Sequence, residues 1–190
     1  MPRPSRQLDT SGGIYHVITR GNDKNTIFEG DSFRTAYLGI VRDAMIRYRF
    51  AIHHYVLMRN HVHMVIAPKH GDDLPHLMQD INHRYSLYHK RRTGRVGHLW
   101  EARYKSIFVG TDSYMLTAGI YIELNPVRAK IVNDPLDFKW SSYRYYAEGE
   151  HNRLVTKSPT FDTLGKNSDE RRIAYKALTR MWRLAPKQQK

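Results

Sequence analysis

Two histidines separated by a single residue stand in a stretch that alternates in the manner of a β-strand. His61 and His63 flank Val62 within residues 55–67. Because side chains alternate along a strand, both imidazoles face one side and Val62 faces the other. Two imidazoles so placed can converge on one divalent metal ion, but the same pattern also fits two histidines on a half-exposed strand. The pair alone does not decide between these interpretations.

A helix predicted over residues 112–125 carries the next candidate groups. Positions 114, 118, 121 and 125 are spaced by four, three and four residues, which places them on one side of the helix. An amide oxygen from Asn125 could complete the coordination begun by the histidines, and Tyr121 would then be a nucleophile beside the metal. Tyrosine has an ordinary pKa of about 10 and therefore needs a polarised target, such as a metal-bound phosphodiester. The spacing also fits a packing tyrosine and a helix-terminal asparagine, and Tyr114 is the competing nucleophile.

The charge of the chain points to a polyanionic partner. Lysine and arginine number 31 against 18 acidic residues, for a net charge of +13 in 190 residues. Such a surplus favours nucleic acid, and no basic amphipathic helix with a large apolar face favours a membrane instead. Tyrosine and tryptophan are interleaved with the cations between residues 84 and 105, which predicts a nucleic-acid track in place of an ordinary solvated helix end. The basic residues of this track are Arg84, Lys90, Arg91, Arg92, Arg95, Arg103 and Lys105.

Composition excludes several other kinds of chemistry. The chain has no cysteine, so disulfides, zinc–thiolate sites and thiol catalysis are excluded. There is no apolar run of membrane-spanning length, and the first residues lack the apolar core of a signal peptide, so we expect a cytoplasmic protein with no membrane partner. No glycine loop of the nucleotide-hydrolase type is present, and we expect no nucleotide cofactor. The histidines outside the pair show no ligand spacing and are expected to lie at the surface or in the core.

The element order predicts an α+β fold. Hydrophobic periodicity gives β-α-β-β-α-β, the ferredoxin-like unit, with an antiparallel sheet, helices on one face and the histidine strand central. The strands are predicted at residues 14–20, 50–58, 61–67 and 104–109, and the helices at 31–48 and 74–92. Asp31 is expected to cap the first helix, and Asp112 or Ser113 the helix over 112–125, which Pro126 ends or kinks. Residues 1–11 are expected to form a loose arm, residues 149–159 a linker, and Ser168 the cap of a last helix.

At this point the residues resemble a known family. The stretch Asn60-His-Val-His63 resembles the His-hydrophobe-His motif of the single-tyrosine HUH transposases, in the branch of the REP-associated tyrosine transposases. The supporting matches are collinear over residues 14 to about 146, and residues 154–184 resemble the C-terminal extension of this branch. They are residues 15–22, 100–105, 121–129 and 140–143. Asn125 departs from the wider single-tyrosine group, which has glutamine there; both supply an amide oxygen, although with a different reach.

The resemblance implies a metal-dependent nuclease and transposase that binds single-stranded DNA containing a palindromic, REP-like hairpin. It would cut and rejoin one strand through a 5′-phosphotyrosine link without ATP, with Tyr121 as nucleophile and Mg²⁺ or Mn²⁺ held by His61, His63 and Asn125. DNA contacts are expected from Arg20, Asn22, Arg84, Arg91, Arg92, Arg95, Arg103 and Lys105. A non-cleaving hairpin-binding regulator and a metallophosphoesterase with a water nucleophile are the alternatives.

The resemblance also divides the chain. Residues 1–148 are expected to form the transposase domain with its short N-terminal arm, and residues 149–190 a linker and a helical extension. The expected setting is the bacterial cytoplasm, with a nucleoid-associated substrate. Monomer and homodimer both remain open, as do the hairpin sequence, the residues that read bases, the general base for Tyr121 and the role of the last helix.

Overall fold

The predicted element order is confirmed. The structure is a computed structural model that describes residues 13–71, 73–110 and 112–184. Its strands are β1 (Tyr15–Arg20), β2 (Phe50–Met58), β3 (His61–Pro68) and β4 (Lys105–Phe108). Its helices are α1 (Asp31–Tyr48), α2 (Asp73–Thr93), α3 (Asp112–Glu123), α4 (Asn125–Arg128), α5 (Tyr143–Glu148), α6 (Pro159–Asp162) and α7 (Ser168–Leu184). None of the helices in the described ranges is long and apolar enough to cross a membrane.

The four strands form one antiparallel sheet in the order β2-β3-β1-β4. This is the ferredoxin-like arrangement, and it places the histidine strand β3 inside the sheet between β2 and β1. The register pairs His61 with Arg20 and His63 with Ile18 on β1. Both histidines are therefore held on a strand that is hydrogen-bonded on each side, which fixes their positions relative to one another.

Helices cover both faces of the sheet. Helices α1 and α2 pack on the face formed by alternate residues such as Val17, Val62 and Met64. Helix α3 packs on the other face, where Met115 and Ile122 are among the residues that form a second core cluster with the strands. The two helices of the ferredoxin-like unit thus share one face, as predicted, and the added helix lies on the face that bears the histidines.

Helix α3 approaches the sheet closely at a glycine. A Cβ atom on Gly119 would lie 2.6 Å from ring atoms of His54 on β2. No other side chain would leave room for the imidazole, because real Cβ atoms do not approach heavy atoms so closely. The small residue therefore sets how near α3 can come to the histidine face.

The segments after α4 close the outer edge of β2. The amide of Leu57 donates to the carbonyl of Trp140 at 2.9 Å, and the amide of Thr156 donates to the carbonyl of Ile52 at 2.8 Å. Residues 149–158, predicted to be a linker, thus include backbone that is hydrogen-bonded to the sheet. Helices α5, α6 and α7 then share a third core cluster with α3. The division of the chain at residue 149 stays a prediction.

Two predicted helix caps are wrong. Asp31 is the first residue of α1, and no side chain caps that helix; its carboxylate accepts hydrogen bonds from Lys139 and Trp140 instead. Helix α7 is capped by Asn167 and not by Ser168, because the Asn167 Oδ1 atom accepts the amide N–H groups of the second and third helical residues. In both places the residue one position earlier has the extended or turn geometry that a cap requires.

The predicted break at Pro126 is confirmed. Helix α3 ends at Glu123, and the single turn α4 begins at Asn125 with the proline in its first turn. A proline there loses nothing, since the first amides of a helix have no partner within the helix. The predicted cap at Asp112 or Ser113 depends on side chains that lie outside the described ones, and the predicted arm at residues 1–11 also lies outside the described residues.

Candidate active site

The structure brings the predicted metal-binding and catalytic residues to one cavity of about 710 Å³. His61 and His63 come from the outward face of β3, while Tyr121 and Asn125 come from α3 and the start of α4. They meet because α3 crosses the face of the sheet on which the histidines lie. The spacing argument placed each pair on one side of its own element, and packing places the two sides together.

His61 presents one defined nitrogen to its surroundings. Its Nδ1 atom lies 2.7 Å from the Oδ1 atom of Asn60. An amide oxygen only accepts hydrogen bonds, so Nδ1 carries the proton and Nε2 keeps its lone pair. Burial, together with the nearby charge of Arg20, lowers the pKa of His61 to about 4. The imidazole is therefore neutral at pH 7, which is the form that ligates metals.

His63 is fixed by a third histidine that the sequence interpretation missed. The Nε2 atom of His16 lies 2.9 Å from Nδ1 of His63, and one of these two nitrogens must carry the shared proton. His16 lines the same cavity. The alternation of β1 places His16 on the same side as Ile18 and Arg20, but nothing local in the sequence states that β1 pairs with β3. That pairing was the missing signal.

Asn125 directs its amide oxygen away from its own helix. The side-chain NH₂ group donates to the carbonyls of Tyr121 at 3.3 Å and Ile122 at 3.0 Å. With the amino group fixed in this way, the oxygen is the remaining polar atom and has no hydrogen-bond partner among the described residues. Two imidazoles and an amide oxygen therefore form a mixed nitrogen and oxygen donor set. Groups of three or more His, Asp or Glu side chains suited to a metal do not occur in the described part of the chain.

Arg128 holds the Tyr121 side chain, and the sequence interpretation missed it as a site residue. The guanidinium carbon lies 4.5 Å from the centre of the Tyr121 ring, and Nη1 donates to the Tyr121 carbonyl at 3.2 Å. A cation over an aromatic face is attracted to it by roughly 0.5–2 kcal/mol, depending on how far it is desolvated. Arg128 forms no ion pair with an acid in the described residues. Its position seven residues after Tyr121, about two helical turns on, was the available signal.

Tyr114 also lines the cavity, and 42% of its surface is exposed. Both candidate nucleophiles are thus brought to the same place, as their shared side of α3 predicted. Tyr121 differs from Tyr114 in lying one turn from Asn125 and in carrying the guanidinium of Arg128 on its ring. Placement alone does not choose between the two tyrosines.

The cavity is positively charged. Arg20, Arg103 and Lys105, all predicted to contact DNA, line it, and Glu101 is the only acidic residue among the lining residues described. A surplus of cations inside a cavity concentrates anions there and raises their rate of encounter. A phosphate group is a fitting occupant for this charge.

A second cavity of about 920 Å³ adjoins the first. It lies between α2 and residues 98–104, contains the predicted DNA contact Asn22, and shares Glu101 and Arg103 with the first cavity. The apolar part of its wall includes Trp100 and Met78. The two cavities together form a path of cations and aromatic side chains along one side of the molecule.

The other predicted DNA contacts fall into two groups. Arg91, Arg92 and Arg95 line neither cavity and form no ion pair within the described ranges, so their charges face the surroundings unpaired. Arg84 lies on the side of α2 that faces α1, where its guanidinium is 2.8 Å from a carboxylate oxygen of Asp43 and 3.9 Å from one of Asp80. Its charge is therefore balanced locally, and the helices α1 and α2 cover the face of the sheet opposite the histidines.

A buried carboxylate fixes α3 from behind. Glu123 is fully buried and accepts hydrogen bonds from Nδ1 of His54 at 2.9 Å, from the hydroxyl of Ser142 at 2.5 Å and from the hydroxyl of Tyr175 at 2.6 Å. Burial raises the pKa of Tyr175 well above its ordinary value, so its hydroxyl remains a donor. Glu123 is two residues from Tyr121, on the other side of the helix. This network, which the sequence analysis did not identify, sets the rotation of α3 and so the direction of Tyr121.

Comparisons with known proteins agree with this fold. The family model described as "Transposase IS200 like" matches residues 9–125. A solved structure of a REP-associated tyrosine transposase bound to a REP hairpin is similar at 16% identity, covering 82% of this chain and 92% of its own, with a TM-score of 0.65. A putative transposase from Deinococcus radiodurans shares 18% identity over 68% of this chain and 92% of its own, with a TM-score of 0.43. No curated protein matches the chain significantly.

Proposed function

The chain belongs to the IS200-like transposase family, and from this premise we propose that it cuts and rejoins single-stranded DNA through a covalent bond to Tyr121. The observation that carries the proposal is the meeting of Tyr121, His61, His63 and Asn125 in one cationic cavity. The cavity combines a nucleophile, a set of metal donors and the positive charge that a phosphodiester needs. A transposase requires these three features for breaking and joining strands.

The proposed reaction is an exchange of phosphoester bonds. The Tyr121 phenolic oxygen attacks phosphorus, the bond from phosphorus to the 3′ oxygen breaks, and a 5′-phosphotyrosine and a free 3′-hydroxyl result. The proton lost by the phenol balances the proton gained by the 3′ oxygen. Because the new bond is also a phosphoester, a 3′-hydroxyl can attack it in turn and reseal a strand without ATP. Arg128 would hold the ring in line for attack.

His61, His63 and Asn125 would hold Mg²⁺ or Mn²⁺. The donor set fits such an ion, since His61 is neutral with a free Nε2 and Asn125 turns its oxygen outward. When bound, the ion supplies charge stabilisation for the oxygens around phosphorus. The residues themselves orient these donors: Asn60 sets the tautomer of His61, and His16 fixes the ring of His63.

The proposed substrate is single-stranded DNA next to a palindromic, REP-like hairpin. The similar REP-associated transposase has a REP hairpin bound, and the shared fold makes the same class of DNA the first substrate to test. Arg20, Arg103 and Lys105 would contact the backbone at the reacting phosphate, and Asn22 would contact the strand in the adjoining cavity. Arg91, Arg92 and Arg95 would add phosphate contacts at the end of α2.

A denaturing gel tests the proposal directly. The protein is incubated with Mn²⁺ and an oligonucleotide that carries a 5′ hairpin followed by a single-stranded segment. We expect a protein–DNA adduct that disappears in Tyr121→Phe, in His61→Ala and on adding EDTA. Tyr114→Phe and His70→Ala are the matched controls, because Tyr114 is the other tyrosine of the cavity and His70 is an exposed histidine outside it.

Each alternative gives a different gel. An adduct that persists in Tyr121→Phe and is lost in Tyr114→Phe would assign the nucleophile to Tyr114. Cleavage without any adduct would indicate attack by water and a structural role for Tyr121. Binding without cleavage across several hairpins would indicate a regulator, and the proposed reaction would then be wrong.

A further inference from the structure

The last helix brings a tryptophan into the catalytic cavity. Trp182 lies near the end of α7, outside the stretch 9–125 that the family model matches, and it lines the cavity together with His61, His63 and Tyr121. The indole is half-buried and packs against the core cluster that joins α7 to α3. An aromatic side chain far along the chain is thus part of the wall that surrounds the proposed reacting phosphate.

Trp182 differs from the other two tryptophans in its polar contacts. The indole N–H of Trp100 donates to the Asn82 carbonyl at 2.9 Å, and that of Trp140 donates to Asp31 at 3.2 Å. The indole N–H of Trp182 has no hydrogen-bond partner among the described residues. A tryptophan that serves packing usually satisfies this donor, whereas one that lines a binding cavity presents its ring to a ligand.

The helix that carries Trp182 is firmly held. Tyr175 lies seven residues earlier, two turns away on the same side of α7, and its hydroxyl donates to the buried carboxylate of Glu123 on α3. Glu123 is itself two residues from Tyr121. The indole is therefore positioned relative to the nucleophile by a short chain of buried contacts, which makes it a rigid platform of the kind that binds a ligand at low entropic cost.

The cavity has room and charge for more than a phosphate. Its volume of about 710 Å³ lies within the range of pockets that enclose whole small molecules. Arg20, Arg103 and Lys105 suit the phosphates of a strand, but they offer nothing flat to the base attached to them. Among the described lining residues, the aromatic carbocycles are Tyr114, Tyr121 and Trp182. Both tyrosines are candidates for the reaction itself, which leaves Trp182 for the base.

We infer that Trp182 is a stacking platform for an unpaired nucleobase of the strand that crosses the cavity, next to the reacting phosphate. The inference rests on the proposed function for the identity of the ligand. Stacking uses the face of the ring, so the site accepts any of the four bases and specifies none of them. Trp182 is accordingly a binding residue that holds the strand in place, and it takes no part in bond making.

Binding measurements with abasic DNA test the inference. All variants are made in the Tyr121→Phe background, so that no strand is cut, and the dissociation constant of the hairpin oligonucleotide is measured. Base–aromatic stacking corresponds to a weakening of about 5- to 140-fold when tryptophan is replaced by alanine. We expect Trp182→Ala to weaken binding by such a factor and Trp182→Phe to retain most of the affinity. Met181→Ala, at an exposed neighbouring position outside the cavity lining, should stay within about twofold.

The decisive comparison removes the base in place of the ring. A series of oligonucleotides is made in which one unpaired nucleotide at a time lacks its base. At one position the abasic site should weaken binding to the Trp182 protein and have no further effect on Trp182→Ala, since ring and base lose the same contact. An equal penalty for Trp182→Ala on every abasic oligonucleotide, or no penalty on intact DNA, would overturn the inference. An indole that only supports the fold gives the first of these results.

Failure of this inference can be told apart from failure of the proposed function. The binding measurements use a protein that cannot form the adduct through Tyr121, while adduct formation by the unaltered protein is scored separately on the denaturing gel. A protein that forms the adduct but shows no coupling between Trp182 and any base retains the proposed function and loses the stacking site. Coupling without an adduct has the opposite meaning.

Discussion

Replacing Tyr175 with phenylalanine should loosen the catalytic helix without touching the cavity. The Tyr175 side chain is fully buried, and its hydroxyl donates at 2.6 Å to the carboxylate of Glu123, which has no exposed surface. The substitution removes one oxygen atom and leaves the ring, so packing is nearly unchanged. What is lost is a hydrogen bond to a buried carboxylate that keeps two other donors, from His54 and Ser142.

The size of the effect follows from that contact. A hydrogen bond to a charged group stabilises a folded protein by about 1.5–3 kcal/mol, against about 0.5–1.5 kcal/mol for a neutral pair. For a chain of this length, each kcal/mol corresponds to a shift of about 2–4 °C in Tm. Tyr175→Phe should therefore lower the free energy of unfolding by about 1.5–3 kcal/mol and lower Tm by roughly 3–12 °C.

The assay pairs unfolding with reactivity. Denaturant unfolding gives the free energy, and the rate of adduct formation is measured at a temperature where the variant is fully folded. Tyr85→Phe is the matched control: Tyr85 is also fully buried, but its hydroxyl donates to a neutral carbonyl, that of Ile27, at 2.6 Å in the core on the other face of the sheet. The control should lose less stability and leave the rate of adduct formation unchanged.

Two results would refute the reasoning. If Tyr175→Phe costs no more stability than Tyr85→Phe, the carboxylate of Glu123 is not the charged acceptor that the geometry indicates. If stability falls as expected while the rate of adduct formation is unchanged, the buried network supports the fold but does not orient Tyr121. A fall in rate with an unchanged dissociation constant for DNA supports the positioning role.

Three further substitutions test other contacts. Gly119→Ala should lower the free energy of unfolding by up to about 2 kcal/mol, because overpacking against the His54 ring costs about 1–3 kcal/mol and helix propensity returns about 1; an unchanged denaturation midpoint would contradict the close approach of α3. Arg128→Ala should slow adduct formation by about 2- to 30-fold with little change in DNA affinity, as the loss of a cation over the Tyr121 ring implies, and an equal loss of affinity would show that the guanidinium binds DNA instead. In salt titrations of DNA binding, Arg103→Ala should reduce the slope by about 0.7–0.9 per phosphate contact, whereas Arg84→Ala, already paired with acids, should leave it unchanged; indistinguishable slopes would count against this sorting of the cations.

Local periodicity determined the elements of this protein and the side of each element that bears chemistry. The apolar spacing over residues 31–48 gave α1 with the bounds that the structure has, and alternation placed His61 and His63 on one face of a strand. The spacing of Tyr121 and Asn125 placed them one turn apart. These features are local, because the pleat of a strand and the pitch of a helix repeat every 2 and about 3.6 residues whatever the rest of the chain does.

Helix caps show where local information is less reliable. The predictions of Asp31 and Ser168 as caps each missed by one residue, because several polar residues near a helix start can accept the same amides and tertiary partners decide among them. Lys139 and Trp140 bind the Asp31 carboxylate from more than a hundred residues away. The sequence alone contains no sign of that competition.

Tertiary structure alone decided which sides meet. That α3 crosses the histidine face, that His16 contacts His63, and that Arg84 turns away from the cavity all follow from strand pairing and helix packing between distant segments. The roles of Glu123 and Trp182 belong here too, since their partners come from other elements. Which surfaces pack together depends on the apolar area buried by the whole chain, and no local repeat encodes that sum.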